Sequence, residues 1–351
     1  MFNKNTLIIV GAGASKEAKV PTGNELKQNI ANSLDIRFAH GVQQISGHPY
    51  IYNALREAIK RNGASASDIE LYLRTAWRIR DAMPQAISID HFIDAHQGDQ
   101  KLELCGKLAI VQSILQAERN SSLFFEIEEG SRTLDYRSLE ETWFNRFMQL
   151  LTENCRVNQL EQRLSTIAFI VFNYDRCIEH FLYHSLQTYY GISPNEAASL
   201  VKRIAIYHPY GTVGALPWYQ ERHQIDFGTE PDPRRLLDLA SQIKTFTEGT
   251  DPNSSDVTDI RNRVAKSQIV IFLGFAFHRQ NLDLIKPRTK HLNREDVRYF
   301  ATAKGISKSD CEIISTDLVK LAGVRRNHVS LQNELTCYEL FKEYWRSLSL
   351  G

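Results

Sequence analysis

Four polar stretches of this chain carry residue types that could do chemistry. Gly11-Ala12-Gly13-Ala14-Ser15 closes the apolar run Thr6 to Val10, and Val20-Pro21-Thr22-Gly23-Asn24-Glu25-Leu26 follows soon after. Two closely spaced glycines let backbone N–H groups approach a pyrophosphate, and the N-terminus of a following helix favours its negative charge. Ser15 can add a hydroxyl contact. Asn173-Tyr174-Asp175 follows a second apolar run. The Asn173 amide can orient a water or a sugar hydroxyl, while Asp175 suits first of all a helix cap. His208 stands within Tyr207-His208-Pro209-Tyr210-Gly211. An imidazole with an ordinary pKa of about 6.5 suits general-base work at neutral pH. Last, Gly274-Phe275 leads into Ala276-Phe277-His278-Arg279-Gln280-Asn281.

Each stretch needs an element to hold it. Residues 6–10, 166–172, 203–207 and 268–273 read as strands. Three of these are nearly continuous apolar runs, as strands buried on both faces require. Residues 297–302 and 324–329 are weaker strand candidates. Thr22 and Glu25 fit a capping box, and Leu26, Ile30 and Leu34 recur at helical spacing. Ile178, Phe181, Leu182, Ser185 and Leu186 do the same after the second run. Strands alternating with helices predict an α/β fold, a Rossmann-like parallel sheet with helices on both faces. Residues 50–160 read mainly as helix. One domain spanning 1–351, with a helical insertion at about 40–160, is therefore expected. Residues 120–133 read as a loop. Residues 219–257 read as loop or lid, because Pro, Asp, Gly and Ser cluster at 230–234 and 248–255. The tail 335–350 reads as one helix. Ligands of open parallel sheets sit beyond the C-terminal strand ends. If the four strong strands are neighbours, their polar tips share one crevice.

Composition narrows the classes. The 351 residues carry a formal net charge of +1, so no global charge favours nucleic acid, and no direct nucleic-acid binding is expected. Arg234-Arg235 and Arg325-Arg326 read as solvated surface. No apolar run approaches the roughly 20 residues of a membrane span, and the N-terminus is too polar for a secretory signal. A cytoplasmic protein with no membrane contact is the expectation. The five cysteines, Cys105, Cys155, Cys177, Cys311 and Cys337, are scattered and never within four residues of one another. That spacing offers no zinc pair and no disulfide framework. Asp90, His91, Asp94 and His96 match no standard metal-ligand spacing, so no metal is expected. The dehydrogenase fingerprint needs a third glycine where Lys16 stands, and Asp35, near the offset of a ribose-binding acid, falls in a helical pattern.

Taken in order and spacing, the four tips resemble the NAD-consuming core of the sirtuin-like family. The resemblance assigns Gly11, Ala12, Gly13, Ala14 and Ser15, with Pro21 and Thr22, to the NAD-binding loop. It matches Asn173 and Asp175 to the family's Asn-x-Asp, His208 to its catalytic histidine, and Gly274, Phe275 and Asn281 to a late loop that closes on NAD. Ser88-Ile89-Asp90-His91-Phe92-Ile93 looks like a helical segment of the bacterial members. Two departures stand out. The family places Gly directly after the histidine, whereas Pro209 and Tyr210 intervene here before Gly211. The two Cys pairs that hold zinc in protein-deacylating sirtuins are missing.

The zinc-free members that the chain resembles are NAD glycohydrolases of bacterial antiviral defence. The implied reaction cleaves NAD, as substrate, to nicotinamide and ADP-ribose and depletes cellular NAD in abortive infection. Asn173 and His208 are the catalytic residues so implied, with no cofactor beyond NAD and no zinc. Unchecked turnover would starve the cell, so the resemblance implies control by homo-oligomerisation or an activating partner, a HerA-type ATPase ahead of an Argonaute-like protein. Two other readings remain at this level: an NAD-dependent protein deacylase, and a non-catalytic module that senses NAD or ADP-ribose.

Overall fold

The computed structural model describes residues 4–40, 42–63, 65–126, 134–249, 254–288 and 296–349. Eight strands are formed among them: β1 (Thr6–Val10), β2 (Arg37–Ala39), β3 (Gln43–Ser46), β4 (Ile167–Val171), β5 (Ala205–Tyr207), β6 (Ile269–Leu273), β7 (Arg298–Thr302) and β8 (Val329–Gln332). Six of them make an all-parallel sheet in the order β5-β4-β1-β6-β7-β8. β2 and β3 form a separate antiparallel hairpin. Counted without that hairpin, the order is 3-2-1-4-5-6, the dinucleotide-binding order in which the winding reverses beside the first strand. The α/β, Rossmann-like expectation is therefore met. The four strong strands are contiguous, so their tips are side by side.

Strand period explains the continuous apolar runs. Successive side chains point to opposite faces. Leu7 and Ile9 of β1 enter one core with Ala168, Ile170, Val270 and Phe272. Ile8 and Val10 enter the other with Phe169, Val171, Ile271 and Leu273. Because helices cover both faces, neither set of alternate positions can be polar.

The first face is covered largely by helices from the first third of the chain. These are α2 (Gly23–Leu34), which follows the single turn α1 (Ala12–Ser15), then α3 (Pro49–Arg61), α4 (Ile69–Ala82), α5 (Ile89–Ala95) and α6 (Gln100–Asn120). The other face is covered by α7 (Trp143–Thr152) and by the helices Cys177–Tyr190, Pro194–Lys202 and Cys337–Glu343. The expected capping box starts α2: Glu25 accepts the Thr22 N–H at 2.8 Å. The long helix α6 is buried along most of its length, with Lys107, Gln112, Ser113 and Glu118 among its buried residues.

Several local expectations move. The strand expected at 324–329 lies at Val329–Gln332; Arg326–His328 form a single 3-10 turn before it. β8 is an edge strand with only Val329 buried, so its pattern is too polar to mark its bounds. The tail is two helices, Cys337–Glu343 and Trp345–Ser349, broken at Tyr344, with Leu350 outside the described residues. Two well-capped helices begin within 219–257, which also holds the short helix Phe246–Gly249. Asp232 accepts N–H bonds from Arg234 and Arg235 ahead of Pro233–Ala240, and Ser254 caps Ser255–Lys266. Asp-Pro is as good a helix start as a loop signal, because proline at the first helical position needs no N–H. The β2–β3 hairpin has no counterpart in the sequence reading. Of the expected loop 120–133, residues 127–133 lie outside the described residues.

Candidate functional site

Three glycines weld the tips of β1 and β6. Gly11 N–H donates to Leu273 O at 2.9 Å, and Gly13 N–H donates to Gly274 O at 3.0 Å. A Cβ on Gly11 would lie 2.5 Å from Gly274 O, and one on Gly274 would lie 2.0 Å from Ala14 N. Gly274 also has φ +54, where side chains are disfavoured. The Gly11 and Gly13 amides thus face the neighbouring strand tip, and the glycines permit this close packing. Their effect is to bring the start of α1 and the β6 turn into one continuous floor at the switch point. Phe277, three residues on, also has positive φ (+55); its ring packs against Phe272 and Phe275 at 5.5 and 5.2 Å. Strained backbone held by packing is typical of ligand-clamping loops.

The β4 tip joins this floor through one hydroxyl. Asn173 Nδ2 donates to Ser15 Oγ at 3.0 Å, and Ser15 Oγ donates to Asp175 Oδ2 at 3.0 Å. Asp175 Oδ1 accepts the Cys177 N–H at the start of the following helix. Asp175 therefore caps, as its position after a strand suggests, and also fixes Ser15. All three residues are buried. With its nitrogen held, Asn173 has its amide oxygen left to offer a ligand.

The β5 tip separates two residues that the sequence places together. His208 Nε2 bonds Glu179 Oε1 at 2.7 Å, and Nδ1 faces Asn173 O at 3.4 Å. Each ring nitrogen thus has an acceptor of the fold beside it. Burial is the largest influence on His208 and acts downward, but the Glu179 charge and hydrogen bond, with Asn173 and Asp175, raise its pKa on balance. In this arrangement His208 holds the backbone of Asn173 from behind. Tyr210, the residue directly before Gly211, is the one that reaches the open space. Its hydroxyl donates to Asn281 Oδ1 at 2.5 Å, and its ring packs on Phe172.

These tips surround a cavity of about 880 Å³. Gly11, Ala12, Gly13, Thr22, Asn173, Gly274, Phe275 and Asn281 line it, as the sequence leads one to expect. Ala14, Ser15, Asp175 and His208 stand behind that wall, and Pro21 lines a neighbouring groove. Other lining residues come from elements that the sequence reading left unconnected. Lys16, Lys27 and Lys304 bring positive charge. Lys27 is aimed by donating to Ala86 O at 2.6 Å. Ser88, Asp90 and His91 arrive on α5, whose first turn Ser88 caps through His91 N–H. Burial raises the Asp90 carboxyl, against the opposing hydrogen bond from the Tyr174 hydroxyl. Thr302 ends β7, and Lys304 and Thr336 follow β7 and β8, the two strands whose sequence signal was weakest. Asp35 is elsewhere, paired with Arg37 and Arg80.

The five cysteines are free, and all except Cys311 are buried. Among the described residues no group of three or more His, Cys, Asp or Glu is placed to hold a metal ion, and no helix is long and apolar enough to cross a membrane. Compared with protein-family models and with curated proteins, the chain matches none.

Proposed function

We propose that this chain binds NAD in the switch-point cavity and cleaves its nicotinamide–ribose bond, releasing nicotinamide and ADP-ribose. The observation that carries the reading is the meeting of Asn173 with the fused glycine turns of β1 and β6 in one cavity. Lys16, Lys27 and Lys304 fit the pyrophosphate. The chemistry asks little of an acid. The bond breaks with its electron pair going to the pyridinium nitrogen, so nicotinamide leaves neutral from a cation. The ribose carbon left behind is oxocarbenium-like and accepts even weakly activated water, whose proton passes to solvent. The site needs chiefly to hold the ribose, exclude bulk water and orient one nucleophile. Asn173 Oδ1 is the group for that orientation. His208 contributes by fixing Asn173 from behind; acting as the base would require its ring to exchange Glu179 for water. Constant turnover would empty the cell of NAD, so control by self-assembly or by a partner such as a HerA-type ATPase belongs to the same proposal.

Chromatography of NAD products, with the chain alone and with a candidate partner, tests this. Nicotinamide and ADP-ribose should appear, and Asn173→Ala should lower the rate by about 10²-fold or more with the fold intact. His208→Gln should cost less than Asn173→Ala if it only positions. A second reading, a module that binds NAD without turnover, is favoured by one observation: the histidine is turned away from the cavity. NAD binding with no product under any partner condition would select it.

A further inference from the structure

Charge is ordered along the switch-point cavity. Lys304 stands beyond the tip of β7, on one side of the glycine floor. Asp90 stands on the other side, where α5 meets Tyr174 and Tyr210 at the tips of β4 and β5. Glu17 also lines the cavity, but its two carboxylate oxygens accept the N–H groups of Trp143 and Tyr338. Asp90 is half-buried and open to the cavity. Its carboxylate accepts from the Tyr174 hydroxyl, and the Ser88 hydroxyl lies within hydrogen-bond reach. Tyr174 is the residue between Asn173 and Asp175, so one tripeptide both presents Asn173 and steadies Asp90. These hydroxyl partners carry no charge, and among the described residues no Lys or Arg pairs with Asp90.

A carboxylate withdrawn from water without a counter-ion opposes folding, and the burial that raises the Asp90 carboxyl expresses that cost. A cation beside it would relieve the cost. The surroundings suit a flat cation. Phe172 packs against Tyr210 at 5.9 Å and against Phe275 at 5.1 Å, and all three residues line the cavity. Aromatic faces attract cations. Tyr210 lies near enough to Asp90 for the carboxylate charge to act on its hydroxyl, so the rings and the acid share one end. NAD has the matching order: a planar pyridinium cation at one end, followed by two phosphate anions.

We propose that Asp90 is a catalytic residue, the carboxylate that faces the pyridinium of NAD and then the ribose carbon as the bond breaks. The assignment rests on the reading of this cavity as an NAD-cleaving site. When the bond from ribose carbon to ring nitrogen breaks, its electron pair goes to the nitrogen. The positive charge then passes from the ring to the ribose carbon. Asp90 faces a cation throughout and neither gives nor takes a proton. Once water has added to that carbon and its proton has passed to solvent, nicotinamide and the ribose end of ADP-ribose are both uncharged. The attraction therefore ends with the reaction and does not hold the products.

Calorimetry on the full chain with carba-NAD and with NADH is the test. Neither is cleaved by this route: carba-NAD lacks the ring oxygen that shares the charge, and NADH would have to expel an anion. The nicotinamide ring is cationic in the first and neutral in the second. The wild type should bind carba-NAD at least about tenfold more tightly than NADH, and Asp90→Asn should raise the carba-NAD Kd about tenfold while moving that of NADH less than about twofold. The steady NADH Kd also reports that the variant keeps its fold. Asp90→Glu, which keeps the charge, should retain most of the preference. Equal affinity of the wild type for the two ligands, a comparison that needs no variant, would overturn the proposal and leave NAD binding standing. So would an Asp90→Asn variant that keeps the wild-type preference, or one that loses both ligands equally. Binding of neither ligand by the wild type would overturn the NAD reading and this assignment together.

Discussion

Two neighbouring stretches of α6 handle buried polarity in opposite ways. At Glu118, fully buried near the C-terminal end, every need is met. Its carboxylate accepts from Arg176 N, Nε and Nη2 and from Gly228 N, at 2.5 to 3.2 Å. Arg176, itself 2% exposed, spends its other N–H bonds on the carbonyls of Gly214, Ile225 and Asp226. The ion pair thereby pins the 214–228 segment against α6. At Gln112 and Ser113, less than two turns earlier, oxygens have no partner among the described residues. The difference separates a polar group that specifies the fold from one whose oxygen the described residues leave unsatisfied. The first is satisfied by the chain itself. The second opposes folding slightly.

The largest effect should come from breaking the satisfied end. Glu118→Gln leaves the Arg176 charge buried without its counter-ion, and a loss of about 3–5 kcal/mol is expected in urea unfolding. A loss below about 1 kcal/mol would mean that the carbonyls alone hold Arg176.

Acid should loosen the same end by a smaller amount. His180 hydrogen-bonds Leu123 O just beyond α6, stacks on Phe227 and neighbours His184. Burial lowers the His180 pKa well below its ordinary value, and burial lowers His184 to about 4. Folding thus favours the neutral rings. Their contribution is complete above the unfolded value of about 6.5 and drains away as pH falls toward about 4. His208 works with the opposite sign: its raised value contributes below about 6.5 and is lost as pH climbs past the folded value. Unfolding midpoints measured between pH 7.5 and 4.5 should fall with acid, and His184→Phe should flatten that slope. An unchanged slope would move the acid sensitivity elsewhere.

The smallest change is expected at the unpartnered end. Gln112→Leu removes an unsatisfied oxygen and should shift stability by no more than about 1 kcal/mol, in either direction. A loss like that of Glu118→Gln would show that Gln112 is structural and would erase the contrast.

Much of the scaffold was legible because it rests on short-range rules. Apolar runs at β1, β4 and β6 announce strands buried on both faces, and the Thr22–Glu25 pair announces α2. The polar tips were legible for the same reason: glycines and Asn-x-Asp after a buried strand are visible as text. What escaped were residues whose role depends on a neighbour far along the chain. Lys304 and Thr336 reach the cavity only because β7 and β8 extend the sheet beyond β6. Glu179 looks like an ordinary helical acid until His208 is found 2.7 Å away.

The sequence by itself determined that strands alternate with helices, and that glycine, Asn173 and His208 would gather at strand ends, since alternation and turn chemistry are local. Only the tertiary structure decided which of them face the cavity. Side-chain orientation at a strand tip depends on what the adjacent strand and helix supply. Here Glu179 and the Asn173 carbonyl claim both nitrogens of His208, while Tyr210, two residues later and bonded to Asn281, takes the place in the wall.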